Sequence, residues 1–219
     1  MKRVVFDICD TLYYSNTTFD FLRFILAIRK DERANTKLKP FLKKSLTYYC
    51  LAIIEKLTGK EIIRAKALET LSGCTEKQLN DWASAFVSEY LPNKKIQETH
   101  QALLKEKALG HDIILASNSI EPVVAAIAEK LNVTNYISST LKYKDGKFEG
   151  KIDIASNGKK LEIIHSQFGE NYDELSVFSD NFSDFQLMQF ASERFCVVHK
   201  KEDMGFWKKL NPHFIEVGK

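Results

Sequence analysis

Three short stretches hold the residues best suited to chemistry: Asp7 to Thr11, Ser117 with Asn118, and Asp180 to Asp184. Each follows an apolar run, Val4-Val-Phe6, Ile113-Ile-Leu-Ala116 and Leu175-Ser-Val-Phe178 respectively. In open parallel sheets the ligand crevice lies beyond the carboxyl ends of the strands. Polar groups at those ends are therefore better site candidates than the same groups elsewhere. Carboxylates there offer a nucleophile or hard oxygen ligands for a cation. A lone Asp after a strand is commonly a turn former or a helix cap. Three such ends, with Lys159-Lys160 opening a helix, make a stronger case together than any one alone.

The elements that must position these residues follow from apolar periodicity. Val4-Val-Phe6 reads as a buried parallel strand. From about Phe19 to Leu109 the pattern is helical. Phe19, Leu22, Phe24, Ile25, Leu26 and Ile28 crowd one helix, and Phe41 to Leu57 forms a second, with Pro40 in its first turn and Gly59 as its stop. Ile62 to Leu71 is a third, closed by Gly73. Glu76 to Leu91 follows, with Thr75 as N-cap and Pro92 after it. Ile96 to Ala108 ends at Gly110. The next strand is Asp112 to Ala116, then a helix from Pro122 to Leu131 and a short strand at Tyr136-Ile137. A hairpin turns at Asp145-Gly146 within Leu141 to Gly150. A helix over Lys159 to Phe168, a strand over Leu175 to Phe178, a helix over Phe185 to Ala191 and strands at Phe195 to Val198 and Phe214 to Val217 complete the chain. Strands alternating with helices predict a mainly parallel α/β sheet.

Composition removes several classes. The chain has 219 residues, enough for one domain with a sizeable insertion. Net charge is +3, from 32 basic and 29 acidic residues, too mild to argue for nucleic acid. The run Lys37-Leu-Lys-Pro-Phe-Leu-Lys-Lys44 reads as a solvated helix face; the competing reading is attraction of an anionic substrate or membrane surface. Cys9, Cys50, Cys74 and Cys196 lie far apart, with no zinc spacing. With no signal-peptide core and no long apolar run, the expected compartment is the cytoplasm. No glycine loop carries the dinucleotide fingerprint.

Taken in order, four segments resemble the haloacid dehalogenase-like (HAD) superfamily. Phe6-Asp-Ile-Cys-Asp-Thr-Leu12 is similar to its first motif, DxDxT after hydrophobics. Ile114-Leu-Ala-Ser117 resembles the second, Lys160 the third, and Phe178-Ser-Asp180-Asn-Phe-Ser-Asp184 the fourth, an acidic DxxxD. Asn16-Thr-Thr-Phe-Asp-Phe-Leu22, Leu71-Ser-Gly-Cys-Thr75 and Asp145-Gly-Lys-Phe-Glu-Gly150 resemble the phosphoserine-phosphatase-like branch, subfamily IB. The resemblance implies an α/β, Rossmann-like parallel sheet core with an inserted all-helical cap after the first strand. Residues 1–15 and 93–219 would form the core and 16–92 the cap.

The resemblance also implies a Mg²⁺-dependent phosphatase acting on a small phosphorylated substrate. Asp7 would attack phosphorus and carry the phosphoryl group. Asp7, the Cys9 backbone carbonyl, Asp180 and, through water, Asp184 would hold the metal. Thr11, Ser117, Asn118 and Lys160 would bind phosphate, with Lys159 competing for the lysine's place. A carboxylate approaching a phosphate meets repulsion of about 4 kcal/mol per charge pair at 4 Å and an effective dielectric near 20. A bridging cation offsets it.

One departure stands out. Family phosphatases have a second Asp two residues after the nucleophile, which protonates the leaving group and then activates water. Here that catalytic position is Cys9. A thiol is a weak proton donor at neutral pH, and general acid–base catalysis contributes about 10²–10⁴-fold. Loss of that group costs most with alkyl phosphates and least with acyl or activated aryl phosphates. Neighbouring Asp10 reads as a turn former, the competing reading being a substitute general acid. Four functions are compatible with this: a specialised phosphatase, a phosphotransferase, a phosphate-binding homologue without turnover, and, last, a dehalogenase. Asn16, Thr17 and Thr18 begin the first cap helix, as N-caps or as substrate contacts. Phe19, Phe21, Phe24, Phe41, Tyr48 and Tyr49 read as bundle core, or with the lysine run as room for an amphiphilic phosphate such as a lipid or a nucleotide-sugar fragment.

Overall fold

A computed structural model describes residues 1–29 and 61–218. The helix expected over Phe41 to Leu57, Pro40, Gly59, the lysine run and Cys50 lie outside the described residues.

Six strands form one parallel sheet: β1 (Lys2–Phe6), β2 (Asp112–Ile120), β3 (Asn135–Ser139), β6 (Glu174–Ser179), β7 (Glu193–Val198) and β8 (His213–Glu216). Their spatial order is β3-β2-β1-β6-β7-β8. β1 therefore lies centrally, paired in parallel with β2 (Phe6 opposite Leu115) and with β6 (Phe6 opposite Phe178). This register sets the ends of three strands side by side, so Asp7, Ser117 and Asp180 emerge along one edge of the sheet. The strand order also explains their composition. Both faces of β1 are covered, so Val4 and Phe6 pack into one apolar cluster and Val5 into another. Phe6, Phe178 and Phe195 stack across adjacent strands, with ring centroids 4.4 and 4.2 Å apart.

The described residues between β1 and β2 are helical: α1 (Thr17–Arg29), α2 (Ile62–Leu68), α3 (Glu76–Ala85) and α4 (Gln97–Ala108). Thr75 caps α3 as its sequence predicts. Its hydroxyl accepts from the Gln78 amide at 3.2 Å, and the Gln78 side chain accepts from the Thr75 amide at 2.9 Å. Phe21, Leu22 and Ile25 of α1 pack in the same cluster as Phe6 and Leu115 of the sheet. The insertion and one sheet face thus share apolar packing.

Later helices are α5 (Glu121–Lys130), α6 (Lys160–Phe168), α7 (Phe185–Phe190) and α8 (Met204–Trp207). A separate antiparallel hairpin joins β4 (Leu141–Lys144) to β5 (Lys147–Ile152). Asp145 and Gly146 turn it with φ of 49° and 71°, the left-handed pair that a two-residue hairpin demands. This hairpin packs on the helical insertion. The Gly73 amide donates to the Phe148 carbonyl and the Phe148 amide to that of Cys74, at 2.8 and 2.9 Å.

Some boundaries differ from expectation. The helix read as Glu76 to Leu91 leaves α geometry at Ala85, continues as a π turn over Phe86–Tyr90 and ends in a 3₁₀ turn over Leu91–Lys94. Pro92 sits inside that last turn. It cannot donate the bond that would prolong an α-helix. Ile62 to Leu71 likewise tightens into a 3₁₀ turn at Glu69–Leu71. β2 runs past Ala116 to Ile120, with its pairing to β3 interrupted between Ala116 and Ile120. Ser117 and Asn118 therefore lie on an irregular strand end, not in a turn. No helix of the described residues is long and apolar enough to cross a membrane.

Candidate active site

Asp7 leaves the end of β1 with its amide bonded to the Phe178 carbonyl at 2.9 Å. Its carboxylate is 3% exposed. Lys160, the first residue of α6, is 2% exposed and donates from Nζ to Asp7 Oδ1 and to Asp184 Oδ2, both at 2.7 Å. The helix phase explains why Lys160 and not Lys159 is the buried lysine. Lys160 shares its inward side with Ile164, four residues on, whereas Lys159 is exposed. Asp184 Oδ2 also accepts from Ser179 Oγ at 2.7 Å. Its other oxygen, Oδ1, is buried and unpartnered.

Asp180 is held from the other side. Thr11 Oγ1 donates to Asp180 Oδ1 at 3.0 Å, accepts from the Asp180 amide at 3.0 Å, and lies 3.4 Å from Asp7 Oδ2. Thr11 was expected to bind phosphate. The structure instead commits its hydroxyl to these carboxylates, since the short Ile8 to Tyr13 turn brings Thr11 back under Asp7. The Leu12 and Tyr13 amides both donate to the Ile8 carbonyl to close that turn. Asp10 sits in it with φ of 50°, which Asp tolerates better than most residues. The Asp10 carbonyl accepts from His199 Nε2 at 2.6 Å.

Two carboxylates thus hold one ammonium, with a third, Asp180, joined to Asp7 through Thr11, and the electrostatics record the imbalance. Burial, against the attraction of Lys160 and with the repulsion of Asp184, pushes Asp7 up to about 6. Burial and the Asp7 charge push Asp180 well above the ordinary carboxylate range. Lys160 is raised despite its burial, because Asp184 and Asp7 favour its charged form. This surplus of negative charge and the orphaned Asp184 oxygen fit a hard divalent cation with oxygen ligands. Among the described residues no three His, Cys, Asp or Glu side chains converge as a ready chelate. The expected ligand set needs fewer side chains, because one ligand is the Cys9 carbonyl. Asp184 was expected to reach the metal through water. Its Oδ2 is taken by Lys160 and Ser179, which leaves Oδ1 for that task.

Around Cys9 gather hydroxyls and its own thiol. Cys9 Sγ lies 3.0 Å from Thr17 Oγ1 and 4.0 Å from Ser117 Oγ. Thr18 Oγ1 and Ser119 Oγ are 3.0 Å apart, and Ser117 Oγ accepts from the Ser119 amide at 3.1 Å. Thr17, Thr18, Ser117 and Ser119 are all buried. Asn16 does the capping, accepting from the Phe19 amide at 3.4 Å. Thr17 and Thr18 turn inward, so the first turn of α1 is pinned to the ends of β1 and β2. Burial and the nearby Asp7 charge push the Cys9 thiol up to about 11.

Asn118 was expected at the phosphate. Its side-chain amide donates instead to Asn157 Oδ1 at 3.0 Å. Its backbone carbonyl accepts from Arg64 of α2 and from Ser139 Oγ. Ser156 Oγ donates to the Ser117 carbonyl at 2.9 Å. Arg64, Ser156 and Asn157 were not singled out from sequence. Arg64 carried a signal, standing at the head of an otherwise apolar stripe with Ala67, Leu68 and Leu71. Ser156 and Asn157 carried none.

Several solved structures share this fold. A protein of unknown function from Bordetella pertussis Tohama I has 16% identity and a TM-score of 0.78, over 98% of this chain and 97% of that one. Phosphoserine phosphatase in apo form has 16% identity and a TM-score of 0.59, over 98% and 92%. Cytosolic 5′-nucleotidase IIIB bound to cytidine has 15% identity and a TM-score of 0.67, over 100% and 80%. Identities this low speak for the fold alone. Comparison with curated proteins gives no match. The family profile described as haloacid dehalogenase-like hydrolase matches residues 4–189, a span that holds Asp7, Ser117, Lys160, Asp180 and Asp184. With that match over most of its length, the chain belongs to the haloacid dehalogenase-like hydrolase family.

Proposed function

We propose that the protein is a Mg²⁺-dependent phosphohydrolase that cleaves small phosphorylated substrates through a covalent aspartyl-phosphate on Asp7. The observation that carries this reading is the Lys160 ammonium held 2.7 Å from both Asp7 and Asp184, with Asp180 fixed alongside by Thr11. A buried carboxylate with a fixed ammonium and spare acidic ligands suits attack on a phosphate dianion. Phosphoryl transfer depends chiefly on positioning and charge stabilisation. Asp7, Asp180 and the Cys9 carbonyl would hold the metal, with Asp184 Oδ1 acting through water. When bound, Mg²⁺ supplies the positive charge that offsets repulsion between Asp7 and the phosphate.

This chain's own residues do the rest. Asp7 is the nucleophile and attacks phosphorus. Lys160 orients Asp7 and places positive charge at the reacting end. Ser117 Oγ accepts from the Ser119 amide, and its proton, with the Cys9 thiol 4.0 Å away, would turn to a phosphoryl oxygen. Phosphoserine phosphatase and cytosolic 5′-nucleotidase IIIB share this fold, and by name both act on phosphate monoesters, which supports the phosphate reading over dehalogenation. Asp184, whose buried charge compensates Lys160, supports it too.

The test is hydrolysis of p-nitrophenyl phosphate, an activated aryl ester, with and without Mg²⁺. Wild type is expected to turn over only with Mg²⁺. Asp7→Asn is expected to abolish turnover, and Lys160→Met to reduce it by about 10²-fold or more, the scale of one lost electrostatic donor. Turnover that persists in Asp7→Asn would overturn the reading.

A further inference from the structure

The reading of Asp7 as nucleophile leads to a narrower inference about its substrates and the lifetime of its phosphoryl group. The reaction has two halves with different proton needs. In the first, an Asp7 oxygen forms a bond to phosphorus and the bond from phosphorus to the leaving oxygen breaks. The leaving oxygen takes the electron pair. An alkoxide must then be protonated, whereas a carboxylate leaves as a stable anion and needs no proton. In the second half, water forms a bond to phosphorus and the Asp7–phosphorus bond breaks. Asp7 recovers its electron pair, and the water's proton must pass to a base. A proton carrier at this site serves both halves and must come within hydrogen-bond reach.

The side chains placed for that task are visible. The position two residues after Asp7 holds the Cys9 thiol, 3.0 Å from the Thr17 hydroxyl and 4.0 Å from that of Ser117. Thr18 and Ser119 continue the same group with hydroxyls. The two carboxylates beside Asp7, Asp180 and Asp184, belong to the proposed cation site, and one oxygen of each is already hydrogen-bonded. Asp184 accepts from Lys160 and Ser179, and Asp180 accepts from Thr11. Among the described residues, the side chains hydrogen-bonded around Cys9 are therefore hydroxyls and a thiol. Neither group takes a proton from water at neutral pH.

We propose that small acyl phosphates phosphorylate Asp7 directly, and that the resulting aspartyl-phosphate is long-lived, because a thiol and hydroxyls occupy the place of a carboxylic proton carrier. Exchange between an acyl phosphate and Asp7 swaps one carboxylate for another, so the first half runs without a proton donor. The second half lacks its base and slows by about 10²–10⁴-fold relative to a site that has one. The enzyme then accumulates in the phosphorylated state and turns over slowly. Alkyl phosphates fail earlier, at the first half, because their alkoxide leaves unprotonated.

The experiment uses the full chain with acetyl phosphate and Mg²⁺, quenched in acid and weighed intact. Wild type is expected to gain one phosphoryl group, labile to hydroxylamine, and Asp7→Asn none. Cys9→Asp is expected to shorten the adduct's lifetime by at least tenfold, within the range that general-base catalysis supplies. A second measurement does not depend on that variant folding. Wild type should form the adduct with acetyl phosphate at least about 10²-fold faster than with glycerol 3-phosphate. Steady turnover of acetyl phosphate without an adduct would overturn the proposal and leave the phosphohydrolase reading intact. So would equal rates with the two donors, or an unchanged lifetime in folded Cys9→Asp. No reaction of any variant with acetyl phosphate or p-nitrophenyl phosphate would overturn both.

Discussion

Arg64 of α2 donates to the backbone carbonyl of Asn118, one residue beyond Ser117 at the end of β2. The same guanidinium reaches Ser139 Oγ at 3.3 Å and Glu61 at 2.7 Å. Asn157 joins in, donating to Glu61 at 3.2 Å while accepting from Asn118 at 3.0 Å. A helix of the insertion is thereby tied to the strand end that bears Ser117 and to the loop that leads into Lys160. Position in the chain gives no hint of this, since Arg64 and Asn118 are 54 residues apart.

Arg64→Leu keeps the apolar stripe of α2 and removes the tie. The Asn118 carbonyl loses a charged donor, which costs about 1–3 kcal/mol. We expect urea denaturation to show a loss of that size. Amide exchange should rise in Ile62–Leu71 more than in β6. Equal rises in both would mean general destabilisation and would sink the idea of a local tie.

A second expectation concerns Asp7 and the cation. Its carboxyl is pushed up to about 6, chiefly by burial. A carboxyl raised in the folded state adds full stability only below its unfolded value and loses it as pH rises through the folded one. At pH 7.5, without metal, charged Asp7 therefore weakens the fold. Asp7→Asn should then stabilise the metal-free protein by roughly 1–3 kcal/mol. Mg²⁺ should reverse the order, raising the Tm of wild type and leaving the variant nearly unmoved. Thermal unfolding with and without Mg²⁺ checks this, and an equal response of the two proteins would contradict it.

The parts of this site that could be read from sequence share one property: their environment repeats along the chain. β1, β2 and β6 are covered on both faces, so their apolar runs are continuous and the polar residue that ends each run stands out. Lys160 rather than Lys159 could be chosen by phase, since it aligns with Ile164. Thr75 was visible as a cap because its partner Gln78 is three residues away. Other features depend on partners distant in sequence. Thr17 and Thr18 look like caps until the ends of β1 and β2 fold beneath them. Asn118 looks like a phosphate ligand until Asn157 takes its side chain. The switch from α to π geometry after Ala85 falls where Phe86 stacks on Tyr90 and meets Phe21 and Phe24, and no local signal announces it.

His100 of α4 supplies a pH prediction away from the active site. Its ring is 7% exposed and lies edge-on to Tyr13 at 4.9 Å, with Nε2 buried and unpartnered. Burial, aided by the Lys95 charge, lowers it from 6.5 to about 4. Between those values the unfolded chain takes up a proton that the folded chain refuses. Stability from this group is complete above 6.5 and falls away as pH drops towards 4. Urea titrations should show a loss of about 1–2 kcal/mol between pH 7 and 5 that His100→Phe lacks. Identical pH slopes in the two proteins would count against a neutral buried imidazole.

The last prediction separates two glycines of one hairpin. Gly146 has φ of +71° and open space where a Cβ would stand. Gly150 has φ of +79°, but its Cβ would come within 3.2 Å of Glu69 Cα and 3.3 Å of Ser72 Cβ. Gly146→Ala should cost only the left-handed backbone penalty, about 1–2 kcal/mol. Gly150→Ala pays the same penalty and also pushes β5 off the turn after α2, at about 1–3 kcal/mol more for the overlap. The hairpin's grip there is specific: Phe148 is 1% exposed and bonds through its backbone to Gly73 and Cys74. Displacing β5 therefore also loosens Ile62–Leu71, the segment that carries Arg64. Gly150→Ala should raise amide exchange in that segment, whereas Gly146→Ala should not. Equal unfolding free energies for the two variants would show that the hairpin does not hold the insertion in place.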